Sequence, residues 1–190
     1  MTIGIDIDDT LVDTFEHLLP MTAQFTGRSV EYLEANDISY DNTPEEWGMD
    51  MEEFAHRYFD EYVPTTPPKK GAARAVERLR SAGNRVVIIT SRSNRYYKDC
   101  YYTTRLELEN CGIEYDKLVC NHDKAQACRD EGVDIMIDDL IVNCEAASSA
   151  GARALLFTSR ENRHQQSPFQ RVQDWDDALV VLGSLGVPIV

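Results

Sequence analysis

Three carboxylates, Asp6, Asp8 and Asp9, interrupt an apolar run at the start of this 190-residue chain, in the stretch IGIDIDDTLVDT. Two more, Asp138 and Asp139, follow the apolar run IMI, and Thr90, Ser91 and Arg92 follow VVII. Burying unpaired carboxylates is costly, and two placed close together repel, raising one pKa unless a cation intervenes. Strand alternation points Asp6 and Asp8 to one side of the first strand and Ile5 and Ile7 to the other. With Asp138 near them, the fitting cation is Mg2+, a hard ion that takes oxygen ligands and keeps several waters. Lys124, ahead of the Asp138 segment, supplies further positive charge.

These groups must be positioned by the elements they terminate. Short apolar runs at Ile3–Ile7, Arg85–Thr90, Lys117–Cys120, Ile135–Ile137 and Ala154–Phe157 read as strands. Helical spacing separates them, as in Ala72–Val76–Leu79 closed by Gly83, and in the stretch from Trp175 through Leu182. Near-continuous apolar strands alternating with helices imply a parallel sheet covered on both faces, an α/β doubly wound, Rossmann-like core. Ligands of such sheets bind beyond the carboxyl ends of the strands, which is where every polar group above falls.

From Thr14 to Lys69 the pattern changes: there is no convincing strand. Thr43-Pro44-Glu45-Glu46 has a capping-box pattern with Pro at the first helical position. Met51, Phe54, Ala55, Tyr58, Phe59 and Tyr62 then recur at the spacing of an amphipathic helix. VPTTPPKKG closes the interval as a stiff, turn-rich linker. The expected organisation is a core of residues 1–13 and 70–190 with a small helical cap, 14–69, inserted after the first strand; the bland alternative is that these helices belong to the core's own layers.

A formal net charge of −14 argues against nucleic-acid polymers and anionic membranes as partners, but a local metal or lysine still admits a small phosphorylated metabolite. No apolar leader follows Met1 and no run reaches the length of a membrane span, so a cytoplasmic protein is expected. Five cysteines without a CxxC pair read as reduced thiols, and the four histidines show no metal-ligand spacing.

DIDDT after an apolar strand, a second strand ending in Thr90, an isolated Lys124 and Asp138-Asp139 after IMI resemble, in order, the four motifs of the haloacid dehalogenase (HAD) superfamily. The resemblance implies a phosphatase in which Asp6 is the nucleophile of an aspartyl-phosphate intermediate and Asp8 the general acid and base. It implies that Asp6, the main-chain carbonyl of Asp8, and Asp138 hold Mg2+, while Thr90, with Ser91 beside it, and Lys124 bind phosphoryl oxygens, where phosphoryl transfer most needs charge stabilisation. Asp139 would stand behind them, orienting Lys124 or a metal water, and Thr10 would orient Asp8 or its loop. A finer resemblance, to the cytosolic 5′(3′)-deoxyribonucleotidase-like branch, rests on IDIDDTLVDT, VVIITSR, IEYDKLVCNHDKAQAC, VDIMIDDLIVNCEAA and LLFTSRENR. It implies a nucleoside monophosphate as substrate. That branch follows its first motif with Asp-Phe, whereas here Thr14 stands between Asp13 and Phe15, so base recognition is not carried over with the motif.

Other candidates have bland readings beside the functional ones. Asn143 either bonds a metal water or caps the next helix, and Asp9 is more simply a turn or capping residue than a ligand. Ser91 and Arg92 either touch phosphate or substrate or build a turn. Phe15, Trp47, Tyr58 and Tyr62 would stack on a base if the cap closes, yet aromatics at helical spacing usually form core. Two rival functions follow from the same residues: a phosphatase for a sugar phosphate or other small metabolite, and a receiver-type signalling domain that keeps its phosphoryl group. In a receiver the accepting Asp closes a later strand than the acidic pair does, unlike the order here.

Overall fold

The computed structural model describes all residues except Asp37, 39–46 and Gly48. The capping box expected at Thr43–Glu46 lies outside the described residues. Six parallel strands, β1 (Thr2–Ile5), β2 (Arg85–Thr90), β3 (Lys117–Cys120), β4 (Ile135–Asp138), β5 (Arg153–Phe157) and β6 (Gln170–Val172), form one sheet in the order β3-β2-β1-β4-β5-β6. The strand order reverses direction around β1, so the ends of β1, β2 and β4 are neighbours at the switch point. The expected sheet is therefore present, wholly parallel. β6 escaped the sequence pattern because it is three residues long, QRV, with only Val172 buried.

Alternation along the central strands assigns each face its own helices. Ile3, Ile5, Ile88, Ile135 and Ile137 pack with Val76 and Leu79 of α4 (Ala72–Ser81), Leu108 of α5 (Cys100–Asn110) and Trp175 and Leu182 of α8 (Trp175–Ser184). Val87, Ile89 and Met136 point the other way, onto Ala127 and Cys128 of α6 (Lys124–Glu131) and Ala147 of α7 (Ile141–Ser149). Because both faces are covered, the strands are apolar along their whole length.

β1 ends earlier than the apolar pattern predicts. The Asp6 N–H still donates to the Ile137 carbonyl at 2.9 Å, but the N–H groups of Thr10, Leu11 and Val12 then all turn back onto the Ile7 carbonyl. Asp9 takes the left-handed conformation this turn requires, φ 54°, which Asp tolerates better than most residues. Buried Trp175 pins the turn from below, donating Nε1–H to the Thr10 carbonyl at 3.0 Å.

Between β1 and α4 the chain forms α1 (Thr14–Thr26), α2 (Val30–Ala35) and α3 (Met51–Tyr62), followed by a 3₁₀ turn at Val63–Thr65. α3 starts where the Asp50 carboxylate caps the N–H groups of Glu52 and Glu53. Phe54, Tyr58 and Val63 pack on Leu18 of α1, on Cys100 at the start of α5 and on Tyr97 just before it. Phe15, Leu19 and Ala23 meet Leu33 and Ile38 in a second apolar cluster. Two short segments join this insertion to the sheet, and they pair with each other. The Asp13 N–H donates to Pro67, the Lys69 N–H donates to Leu11, and Lys69 Nζ lies 2.6 Å from Asp13 Oδ1. Among the described residues no helix is long and apolar enough to cross a membrane.

Replacing Trp175 by Phe keeps an aromatic filler but leaves the Thr10 carbonyl without its donor. A loss of about 1–3 kcal/mol in unfolding free energy is expected, read from urea denaturation at equilibrium.

Candidate active site

The ends of β1, β2 and β4 bring the predicted groups together. Lys124, the first residue of α6, is fully buried; its ammonium donates to Asp6 Oδ1 and to the Ile89 carbonyl (2.6 Å) and lies 3.0 Å from Asp138 Oδ2. A cation in the first helical turn opposes the helix dipole, so this lysine is held there by its carboxylates. Burial works against its charge, but Asp138 and Asp6 outweigh that and hold its pKa above the ordinary lysine value.

Asp6, Asp138 and Asp139 each offer one oxygen within 4.8 Å of the others, all three side chains being buried. Burial, together with the charges of Asp138 and Asp8, raises the Asp6 pKa to about 7 against the pull of Lys124. Asp139 is driven well above the usual carboxylate range by burial and by Asp138, Asp6 and Asp9. Three carboxylates facing one ammonium are thus short of positive charge, and a donor set of hard oxygens is the kind that divalent cations occupy. The expectation had Asp139 standing behind the site; the structure puts its carboxylate within the acidic cluster itself. Asn143, expected to bond a metal water or to cap the next helix, instead donates Nδ2–H to Asp138 Oδ1 at 3.0 Å, where the Leu140 N–H also donates at 2.9 Å.

Asp8 has different partners. Arg92 grips it in a fork, Nη2 to Oδ1 at 2.7 Å and Nε to Oδ2 at 3.0 Å, and the Thr14 hydroxyl donates to Oδ1 at 2.7 Å. Burial would raise the Asp8 pKa, but the Arg92 charge and these hydrogen bonds hold it below its ordinary value. Arg92 is itself buried between Asp8 and, on α5, Glu107 (2.5 Å) and Thr104 (3.3 Å). It was expected either to touch substrate or to build a turn; its N–H closes a turn onto Thr90, and its guanidinium, held by these neighbours, borders the cavity described below. Thr10 does not orient Asp8: its buried hydroxyl has no hydrogen-bond partner among the described residues, and Thr14 has that contact. The Asp9 carboxylate accepts from the Phe15 N–H at 3.2 Å, serving α1 from outside the helix, and burial raises its pKa to about 7.

Thr90, the last residue of β2, is buried beside the Ile89 carbonyl that Lys124 engages, and its hydroxyl accepts from the Arg92 N–H at 3.3 Å. Exposed Ser91 lines the mouth of a cavity of about 390 Å³ whose polar wall includes Asp6, Asp8, Asp9, Asp139 and Asn143. The opposite wall is Met51 and Phe59 of α3 with Tyr96 and Tyr97 from the loop after β2. Phe15 and Trp47 do not line it. Phe15 is buried in the α1–α2 cluster beneath the Arg160 guanidinium, 4.8 Å from its ring centroid, and Trp47 packs by Tyr32 and Arg28. Tyr58 is core, as its spacing allowed, and sits against Phe54. The sequence offered a signal for Met51 and Phe59, which share the outer positions of an amphipathic helix, but none for Tyr96 and Tyr97, which lie in an irregular loop. Asn162, also missed, fixes the acidic turn through Nδ2–H bonds to the carbonyls of Asp139 (2.6 Å) and Phe157 (2.7 Å).

This fold recurs in HAD hydrolases. The structure of a HAD family hydrolase from Deinococcus radiodurans R1 with bound phosphate and sodium aligns at TM-score 0.71, with 12% identity, over 98% of this chain and 96% of that one. D,D-heptose 1,7-bisphosphate phosphatase from Burkholderia thailandensis aligns at 0.59, with 13% identity, over 96% and 98%. YfnB from Bacillus subtilis, in a form bound to magnesium, aligns at 0.63, with 14% identity, over 95% and 97%. Among curated proteins, none matches the chain. Residues 1–185 match the family model of the 5′ nucleotidase, deoxy (pyrimidine), cytosolic type C protein, NT5C. The chain belongs to that family and is a phosphoric monoester hydrolase of the HAD type.

The acidic cluster makes a testable demand. A divalent cation should raise the thermal unfolding midpoint of the chelator-treated protein, and the rise should shrink as pH falls below about 7. Groups whose folded pKa is raised hold protons through that range, and the cation must displace them. Differential scanning fluorimetry with Mg2+ at about pH 8 and about pH 5.5 reads both effects; Asp138→Asn should remove most of the increment.

Proposed function

We propose that the protein is a Mg2+-dependent phosphomonoesterase working through an aspartyl-phosphate at Asp6, with nucleoside monophosphates, deoxy forms included, as its substrate class. The observation that carries this reading is that Asp6 and Asp8 face one cavity whose far wall is apolar and aromatic. A phosphate ester placed with its phosphorus at Asp6 extends its leaving group toward Phe59, Tyr96 and Tyr97. Flat rings there suit a nucleobase, and π-faces hold any base without reading its edge.

Asp6, the main-chain carbonyl of Asp8, and Asp138 would hold Mg2+, with the Asp139 carboxylate in reach. When bound, the ion supplies the positive charge that phosphoryl oxygens and crowded carboxylates both need. The remaining chemistry belongs to the chain. An Asp6 oxygen attacks phosphorus as the bond to the ester oxygen breaks, and Asp8, whose pKa Arg92 keeps low in the free site, relays to the departing oxygen the proton that a monoanionic ester brings. Water then attacks the phosphoryl group, its proton passes to Asp8, and the bond from phosphorus to Asp6 breaks, giving inorganic phosphate. Lys124 pulls the Asp6 pKa down against its burial, to about 7, and with Thr90 would bind the phosphoryl oxygens. A phosphatase must finish the second half of this cycle, and Asp8 beside Asp6 supports completion over the stable phospho-Asp of a receiver domain.

Asp6→Asn should lose turnover by at least about 10³-fold while unfolding cooperatively, because covalent catalysis has no substitute nucleophile there. Retained activity would refute the assignment. The substrate class is tested by initial phosphate release from nucleoside 5′- and 3′-monophosphates and sugar phosphates with Mg2+. Phe59→Ala should raise KM for nucleotides about tenfold, at ~1–3 kcal/mol per stacked base, and leave sugar phosphates nearly unaffected. Faster release from sugar phosphates by the unmodified protein would favour the metabolite phosphatase.

A further inference from the structure

The site described above gives Asp8 its proton-transfer task but leaves open why two further charges are buried behind it. Arg92 and Glu107 are almost wholly inaccessible, at 5% and 0%. A buried ion pair is seldom the most stabilising choice, since apolar residues of similar volume commonly do as well or better. What this pair does provide is direction. Glu107 and Thr104 fix one edge of the guanidinium to α5 at Nη1, and the ring of Tyr97 lies 5.8 Å from its centre. The remaining edge, Nε and Nη2, presents a rigid fork to Asp8.

The two oxygens of Asp8 are not equivalent in this grip. Oδ1 accepts from both Arg92 Nη2 and the Thr14 hydroxyl, each at 2.7 Å. Oδ2 accepts only from Arg92 Nε, at 3.0 Å, among the described residues. A carboxylate oxygen has room for two such bonds, so Oδ2 keeps capacity for one more partner, and Asp8 lines the cavity. The geometry points to Arg92, anchored by Glu107, as the positioning residue that aims Asp8 so that Oδ2 exchanges the proton with the leaving oxygen and then with water. Arg92 borders the same cavity, but the hydrogen-bonding N–H groups of its guanidinium are directed at Asp8, Glu107 and Thr104, so in this arrangement it acts through Asp8. The inference rests on the proposed role of Asp8 as general acid and base, and goes beyond it by assigning the residues that orient it and the oxygen that works.

The test uses leaving groups that differ in their need for a proton. Departure of nitrophenolate needs little protonation, whereas departure of an alkoxide from an alkyl phosphate needs it fully. For each ester kcat/KM reports events up to departure of the leaving group, and kcat includes hydrolysis of the phosphoenzyme. Arg92→Lys keeps a positive charge and loses the fork. It should lower kcat/KM for a nucleoside monophosphate about 10²-fold, the lower range of general acid–base catalysis, while kcat/KM for p-nitrophenyl phosphate stays near the unmodified value. Stopped flow should then show a burst of one nitrophenolate per active site before slow turnover. An equal loss on both esters with no burst would overturn the inference, as a role in folding or substrate binding does not distinguish leaving groups. Should Arg92→Lys fail to fold, Glu107→Gln, which weakens the anchor and keeps its shape, should give the same selective loss in smaller measure; a uniform loss there would equally overturn it. Asp8→Asn separates the two levels. A selective loss in Asp8→Asn without one in Arg92→Lys refutes the positioning role alone, whereas a uniform loss in Asp8→Asn refutes the acid–base reading beneath it.

Discussion

The site depends on one buried cation. Lys124 ties Asp6 at the end of β1 to Asp138 at the end of β4 and to the backbone of β2 through the Ile89 carbonyl. Three strands that meet at the switch point of the sheet are thus joined by a single ammonium. Remove its charge and two carboxylates are left buried and uncompensated, a situation whose cost exceeds the net worth of the pair. Yet one ammonium cannot neutralise three carboxylates. The same residue that makes the acidic cluster tolerable leaves it with affinity to spare for a further cation.

Around that fixed point the fold separates two carboxylates only two residues apart into different electrostatic settings. The Asp6 pKa is raised by burial and by the like charges around it; that of Asp8, despite burial, is lowered by Arg92. The turn that follows, closed on the Ile7 carbonyl and pinned by Trp175, provides the separation. Asp8 also receives a hydrogen bond from Thr14 at the start of the helical insertion, and Asp9 receives one from Phe15. The insertion is therefore connected to the acidic turn through Asp8, which does chemistry under the proposed reading, through its neighbour Asp9, and through the paired segments at Asp13 and Lys69.

Legibility in the sequence followed the range of the interactions involved. The core strands and the residues Asp6, Asp8, Thr90, Lys124 and Asp138 could be read because apolar runs mark the strands and strand ends mark where polar groups gather. The end of β1 could not be read, since Ile7 is as apolar and buried as Ile5 and only the turn's hydrogen bonds distinguish them. Thr10 was expected to orient Asp8 or its loop, and Thr14 was not expected at Asp8, for a similar reason: both are threonines near it, and which hydroxyl reaches it depends on a left-handed Asp9 that no periodicity predicts. Phe15 looked available for stacking only because local sequence does not show that α2 and Arg160 cover it. Arg92 was visible as a residue, but its partner Glu107 is fifteen positions away on a helix whose apolar pattern does not announce a buried acid.

The overall charge sharpens what such a site must do. A protein of net charge −14 repels a phosphate dianion at long range, though screening confines that repulsion to roughly 8–10 Å at physiological ionic strength. Attraction must therefore be generated locally, and there Arg92 is already paired with Asp8 and Glu107, while Lys124 divides its single charge between Asp6 and Asp138 before any phosphate arrives. A phosphate ester entering this cavity would meet carboxylates without a surplus of cationic charge unless a metal ion came first. On that argument an ion held there would serve substrate recognition as much as catalysis, while the aromatic wall opposite, which carries no formal charge, would be left to select the leaving group under the proposed reading.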